Sequence, residues 1–324
     1  MNDKAVITIA TSKRLYLDMA VNLARSFILW NKDSGIDFYL ATDMAAYLPA
    51  DVKEFVRIID LRPGELGIGF TPKLHLDKLA LAAHTLFIDS DCLVYGNLLP
   101  IFKKFKGLNV GVVGNYISSG EWFGDVSAIC RQFNVSRLPK FNGGIYYIEP
   151  GVNAKAVYQT ARELENRYDE IGFVRLRNRP NDEVVMALAM ELHKQSILTD
   201  DGSIMAEFVN FKSGIKSELV KGKIELYNNP KHPDYQPNWP LQMSRPLIVH
   251  FLGHHNQILP YTKESRVLKL IFADGTKPAR AQVLAWLQVA LAAKTLTLFK
   301  DLLRPFYHAV AGPRKVKQSE RVIQ

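Results

Sequence analysis

Two aspartates, Asp89 and Asp91, flank a single serine in the stretch "LFIDSDCLV". The apolar run Thr85-Leu86-Phe87-Ile88 leads straight into them. Carboxylates one residue apart at a strand end supply hard oxygen donors, which suit Mg²⁺ or Mn²⁺ shared with the phosphates of a substrate. Such a cation neutralises a diphosphate leaving group as its bond breaks. Acidic pairs also occur as caps and solvated turns at loop starts, so the pair alone leaves both readings open.

The pair needs a strand in front of it and a sheet around it. "AVITIAT" (5–11), "IDFYLAT" (36–42), "VRIID" (56–60), the run ending at Asp89, "NVGVVGN" (109–115), "GGIYYIE" (143–149) and "LIVHF" (247–251) read as strands. "YLDMAVNLARSFILW" (16–30) and "KLHLDKLALAA" (73–83) carry apolar residues at helical spacing, as do 153–170 and 181–194. This alternation predicts an α/β fold with a largely parallel sheet. Sites in such sheets lie beyond the C-terminal strand ends, where Asp89 and Asp91 stand. The segment 228–246 is rich in Pro and Asn and reads as loop.

The 324 residues are enough for one large or two modest domains, with 48% hydrophobic and 23% charged residues. Two cysteines, Cys92 and Cys130, form neither a disulfide framework nor a zinc site by count and suit a reducing cytosol. No secretory signal is expected at the N-terminus. The formal charge is +9, and residues 277–324 carry +7 of it, nine basic against two acidic. The main body is therefore near neutral, and no nucleic-acid-binding surface is expected there. We divide the chain at 275/276, into a catalytic domain and a basic amphipathic helical tail. The tail reads as a long helix interrupted at Pro305. Its uncharged part, 281–293, is shorter than the roughly 20 residues a bilayer span needs. It predicts either a peripheral membrane contact or packing on the domain or a second subunit.

Four blocks in order resemble the GT-A-fold glycosyltransferases, in particular glycosyltransferase family 8, which holds glycogenin and bacterial lipopolysaccharide glucosyl- and galactosyltransferases. They are "ITIATSKRLYLDMAVNLARSF", "TPKLHLDKLALAAHTLFIDSDCLVYGNL", "FNGGIYYIEPG" and "IVHFLGHH", with "PNDEVVMALAM" between the last two. The resemblance implies a Rossmann-like nucleotide-diphospho-sugar transferase fold with a mixed central sheet. It implies metal-dependent transfer of a hexose from a nucleotide-diphosphate sugar, UDP-linked, to a hydroxyl of a glycan or glycolipid. Retention of configuration, surface-polysaccharide or lipopolysaccharide synthesis, and a cytoplasmic site on or near the inner membrane face are further expectations.

Residue by residue, the resemblance makes Asp89, Asp91 and His250 ligands of Mn²⁺ or Mg²⁺. Thr11, Ser12, Tyr16, Lys73, Asp89, Ser90, Asn142 and Gly143 would line the donor. Asp182 and Glu183 would act at the sugar, and Glu183 stands where many members have Gln. Each has a plainer alternative. His250 can be a core histidine, Thr11 or Ser12 a helix cap, and Lys73 a solvated helix-start lysine. The glycine pair can mark a bulge, and Asp182 and Glu183 can serve a helix N-terminus. The chain departs from the family at Asn256-Gln257, where a diphosphate-gripping lysine is usual. Were Asp182 or Glu183 a base for the acceptor, inversion would follow. Two rival readings are a haloacid-dehalogenase-like phosphatase with Asp89 as nucleophile, and a GT-A binding module without catalysis.

Overall fold

The computed structural model describes residues 2–312. Two compact units follow one another, dividing at Gly253, where composition alone placed the boundary at 275. The first unit is the α/β body. Its strands are β1 (Lys4–Ala10), β2 (Ile36–Thr42), β3 (Arg57–Asp60), β4 (His84–Ile88), β5 (Cys92–Val94), β6 (Val110–Gly111), β7 (Val113–Ile117), β8 (Leu138–Phe141), β9 (Ile145–Ile148), β10 (Leu198–Thr199), β11 (Met205–Glu207), β12 (Gly214–Glu218), β13 (Lys223–Tyr227), β14 (Met243–Ser244) and β15 (Ile248–His250).

Six of these form the central sheet, in the order β3-β2-β1-β4-β9-β6. β1 runs parallel to both β2 and β4, and β2 parallel to β3. β9 lies antiparallel between β4 and β6, so the sheet is mixed. β1 and β4 are buried along most of their length and read as continuous apolar runs, as strands covered on both faces do. The helix Arg14–Asn31 buries Leu17, Ala20, Leu23, Ala24 and Phe27 at helical spacing. The helix Asp182–Leu192 buries every residue from Val184 to Met190 and packs against the helix Val152–Asn166. A helix apolar all round belongs inside, and this one carries Asp182 into the interior at its first turn.

Two pairings position the chemistry. β4 and β9 pair Ile88 with Ile145, which sets Asp89 opposite Gly144; the Asp89 N–H donates to the Gly144 carbonyl at 2.8 Å. In a second sheet, β11-β15-β5, His250 pairs with Cys92. That sets the imidazole beside Asp91, whose carbonyl accepts from the Phe251 N–H at 3.0 Å.

Some expectations fail locally. Residues 73–83 are not a continuous helix: a 3-10 turn (Thr71–His75) and one α-turn (Leu76–Leu79) precede a bend. Leu74, Leu76, Leu79 and Ala82 are buried as helical spacing asks, but the chain must straighten at once to enter β4. "NVGVVGN" splits between β6 and β7, which belong to different sheets. Gly114 explains the close pairing of β7 with β8, because a Cβ there would fall 2.2 Å from the Lys140 carbonyl oxygen.

In the second unit, the helices Tyr261–Phe272 and Pro278–Ala285 pack together, and a π-helical turn (Trp286–Leu291) leads into the helix Ala292–Ala311. Pro305 does not interrupt that last helix. A proline removes one backbone donor, and on an exposed helix water can satisfy the freed carbonyl. Pro278–Ala309 is thus long and apolar enough, by length and composition, to cross a membrane, which the uncharged run 281–293 is not.

Candidate active site

Beyond the ends of β4 and β9, residues from five separate stretches of the sequence converge, at 73, 89–92, 142–146, 181–183 and 250. Lys73 Nζ donates to Asp89 Oδ2 at 2.6 Å and to the Gly143 carbonyl at 2.9 Å. Burial works against the lysine charge, but Asp182 and Asp89 outweigh it and hold the ammonium protonated well past its ordinary range. Lys73 is therefore the internal counter-ion of the cluster rather than a solvated helix-start lysine.

Asp182 sits buried at the first turn of its helix, capped by Asn181, whose side-chain oxygen accepts from the Glu183 N–H at 2.9 Å. Its Oδ2 accepts from the Tyr146 hydroxyl at 2.7 Å. Burial raises the Asp182 pKa against the pull of Lys73 and the Tyr146 hydrogen bond. Glu183 accepts from the Gly143 N–H at 2.9 Å. Burial, then the neighbouring Asp182 charge, push its carboxyl up to about 8, so near neutral pH it is largely a neutral acid.

On the other side stands His250, buried at the end of β15. Its Nδ1 lies 2.8 Å from Asn142 Oδ1, which also accepts from the Gly144 N–H at 2.9 Å. An amide oxygen only accepts, so Nδ1 carries the proton and Nε2 faces Asp91. Nε2 stands 2.9 Å from Asp91 Oδ1, but off the direction a hydrogen bond needs; that oxygen is buried without an aligned donor. Burial opposes the imidazolium, yet Asp91 overrides it and raises His250 to about 9; His250 in turn holds Asp91 low against its burial. A ring nitrogen and a carboxylate oxygen placed side by side, with the far ring nitrogen fixed by an amide, form the arrangement that metal ligands take.

The residues therefore fit a divalent cation, with one change from the sequence expectation. The ligand atoms that lie within 4.8 Å of one another belong to Asp91, Cys92 and His250, whereas Asp89 is engaged by Lys73. Burial, then Asp91 and Asp89, raise the Cys92 thiol well above its ordinary value. A protonated thiol is a poor ligand, which leaves the hard carboxylate of Asp91 and the borderline imidazole of His250 as the pair that could hold a divalent cation.

The glycine pair is required by space. A Cβ on Gly143 would fall 2.8 Å from Asp182 Oδ2, and one on Gly144 would fall 2.7 Å from His250 Nδ1. Ser90, also buried, donates its N–H to Asp89 Oδ1 at 3.0 Å. Thr11, Ser12 and Tyr16 follow β1 at the same end of the sheet. The Ser12 N–H reaches the Asp43 carboxylate at 3.2 Å, and Tyr16 is exposed. Among the described residues they share no hydrogen bond or ion pair with the charged cluster. Tyr146, Asn181 and Asp43 join the site without having been singled out from sequence, and Gly144 entered there only as the second member of the glycine pair. The second glycine of "NGG" and the tyrosine two positions on were the available signals.

No protein-family model matches this sequence, and no curated protein matches it. Among solved structures it is similar to galactosyltransferase LgtC in complex with donor and acceptor sugar analogs (14% identity, 77% of this chain and 87% of that chain, TM-score 0.47). It is similar also to the glycosyltransferase GlyE of Streptococcus pneumoniae TIGR4 (15% identity, 77% of this chain and 55% of that chain, TM-score 0.47). A third is the bifunctional glycosyltransferase WbbM (12% identity, 78% of this chain and 46% of that chain, TM-score 0.49). By name all three are glycosyltransferases.

Proposed function

We propose that this chain is a metal-dependent glycosyltransferase. It moves a hexose from a nucleotide-diphosphate sugar, UDP-linked, to a hydroxyl of a glycan or glycolipid, with retention of configuration, in cytoplasmic synthesis of surface polysaccharide or lipopolysaccharide. The observation that supports this most is the side-by-side placement of Asp91 Oδ1 and His250 Nε2, fixed from behind by Asn142 and joined through the Gly143-Gly144 main chain to a second acid pair beside Lys73. When bound, Mn²⁺ or Mg²⁺ supplies charge neutralisation for the departing diphosphate.

The chain's own residues do the rest. Asp91 and His250 are the ligands, and Asp89, released from Lys73, joins them or takes a donor hydroxyl. Thr11, Ser12 and Tyr16 line the nucleotide, and Ser90, next to Asp89, lines the donor. Asn142 keeps the His250 proton on Nδ1. Gly143 lets the sugar approach the backbone, and Asp182 holds its hydroxyls. Glu183 lies at the reacting face, where positive charge develops. Lys73 keeps the acids from repelling one another before substrate arrives.

The test is a screen of nucleotide sugars with Mn²⁺, scored for thermal stabilisation and release of nucleoside diphosphate. Stabilisation by one UDP-sugar that requires Mn²⁺, with nucleoside diphosphate released, is the expected result. Release of inorganic phosphate instead would favour a phosphatase, and stabilisation without turnover a binding module.

A further inference from the structure

Every residue from Lys294 to Ala309 is exposed, although the helix that carries them holds seven large apolar side chains. Leu298, Phe299, Leu302 and Phe306 are 64%, 65%, 71% and 72% accessible. Wound at 3.6 residues per turn, Leu296, Leu298, Phe299, Leu302, Leu303 and Phe306 fall on one continuous half of the helix. Lys294, Thr297, Lys300, Asp301, Arg304 and His308 fall on the other half. A helix of this length is marginal in water by itself, so a face this apolar needs a partner.

We infer that this helix lies in the plane of an anionic lipid surface, with its apolar half among the acyl chains and its basic half toward the headgroups. Length and composition would also permit a span. The distribution of charge argues against it. A span formed by Ala292–Ala311 would carry Lys294, Lys300, Asp301 and Arg304 into hydrocarbon, where ionised side chains are strongly disfavoured, and one shifted toward Pro278 would strip the buried Ala281 and Ala285 from their packing on the helix Tyr261–Phe272, whereas in the plane the charges stay wet along one side. Charge selects the lipid. Residues 277–324 hold nine basic and two acidic side chains, so the surface they meet must be negative. The same charge disfavours a second copy as the covering partner, because two such segments repel at low salt.

Flotation of the full chain with vesicles tests this, comparing phosphatidylcholine alone with phosphatidylcholine plus phosphatidylglycerol. Binding should be at least about tenfold tighter on the anionic vesicles and fall with added salt. Alkaline carbonate should release the protein. Lys300→Glu combined with Arg304→Glu leaves the apolar half untouched, lowers the charge of residues 277–324 from +7 to +3, and should weaken the preference for anionic lipid. Leu302→Glu combined with Phe306→Glu should abolish binding to both vesicle types. Absence of flotation, resistance to carbonate, or a lipid-free dimer that these apolar substitutions dissolve would each overturn the inference. None of these readouts depends on turnover.

Discussion

The end of β4 and the helix Ala292–Ala311 invert the usual arrangement in opposite directions. At the first, charge is buried: Lys73, Asp182 and His250 lie inside, each with a named partner. At the second, apolar surface is exposed: Leu302 and Phe306 stand in water without cover. Burying ions is costly unless they are paired, and exposing a wide apolar stripe is costly unless something arrives to cover it. The first region meets its cost internally, through the pairs around Lys73 and His250, and under the proposed function exchanges them for a cation and a diphosphate; the second has no internal partner, and under the inference about the helix its cover is a lipid surface.

The contrast breaks most visibly at Asp91. Asp91→Asn removes the negative charge that faces His250, and turnover in the donor-hydrolysis assay should fall about a thousandfold or more while circular dichroism stays native. Retained Mn²⁺-dependent activity would end the ligand assignment. Next in size is Lys73→Met, which leaves Asp89 and Asp182 without their cation. Denaturant unfolding near neutral pH should show a loss of about 3 kcal/mol, shrinking as pH falls and the acids take up protons. An undiminished midpoint would mean that the lysine does not bind the cluster together.

Glu183 sharpens the picture through pH. Its folded pKa, about 8, lies above the ordinary 4.5, so the native state holds a proton that the unfolded chain releases between these values. The sign is that stability contributed at low pH is lost as pH rises from about 4.5 to 8, at most about 1.4 kcal/mol per pH unit for one proton. Glu183→Gln should flatten that slope. Its turnover should match the parent below pH 8 and lag above it if the carboxylate stabilises positive charge; a lag at every pH would point to the proton itself. The smallest effect belongs to the other region. Leu302→Ala, at an exposed position, should change lipid-free stability by no more than about 0.5 kcal/mol, whereas a buried leucine typically costs about 2–5. A core-sized loss would show that something already covers the helix in solution.

What could be read from sequence follows what each signal encodes. β1, β2 and β4 were legible because continuous apolar runs mark strands covered on both faces. Residues 73–83 were not, since Leu74, Leu76 and Leu79 satisfy helical spacing while the entry to β4 forbids its continuation. Pro305 misled because local propensity was weighed without solvent to take up the freed carbonyl. In the site, Lys73, Asp89, Asp91, Asp182, Glu183 and His250 were visible as residue types, and the structure brings them together. The Lys73–Asp89 contact was not visible, nor was Asn142 as the orienter of His250, because both depend on which strands pair. Gly144 and Tyr146 act through space and a second hydrogen bond, which a sequence does not display.

The glycine pair carries one more consequence. Gly143 abuts Asp182 and Gly144 abuts His250, and neither has a positive φ, so the demand at both is for room alone. The sugar-side acid and the metal-side histidine thus rest against opposite ends of one four-atom stretch of main chain. Any displacement at one end is handed to the other without passing through a side chain. In a saturation library, positions 143 and 144 would behave as a single locus, and a change rescuing either would arise among the side chains that close the space, such as Asp182, Tyr146, Met205 or His250, rather than at the glycines themselves.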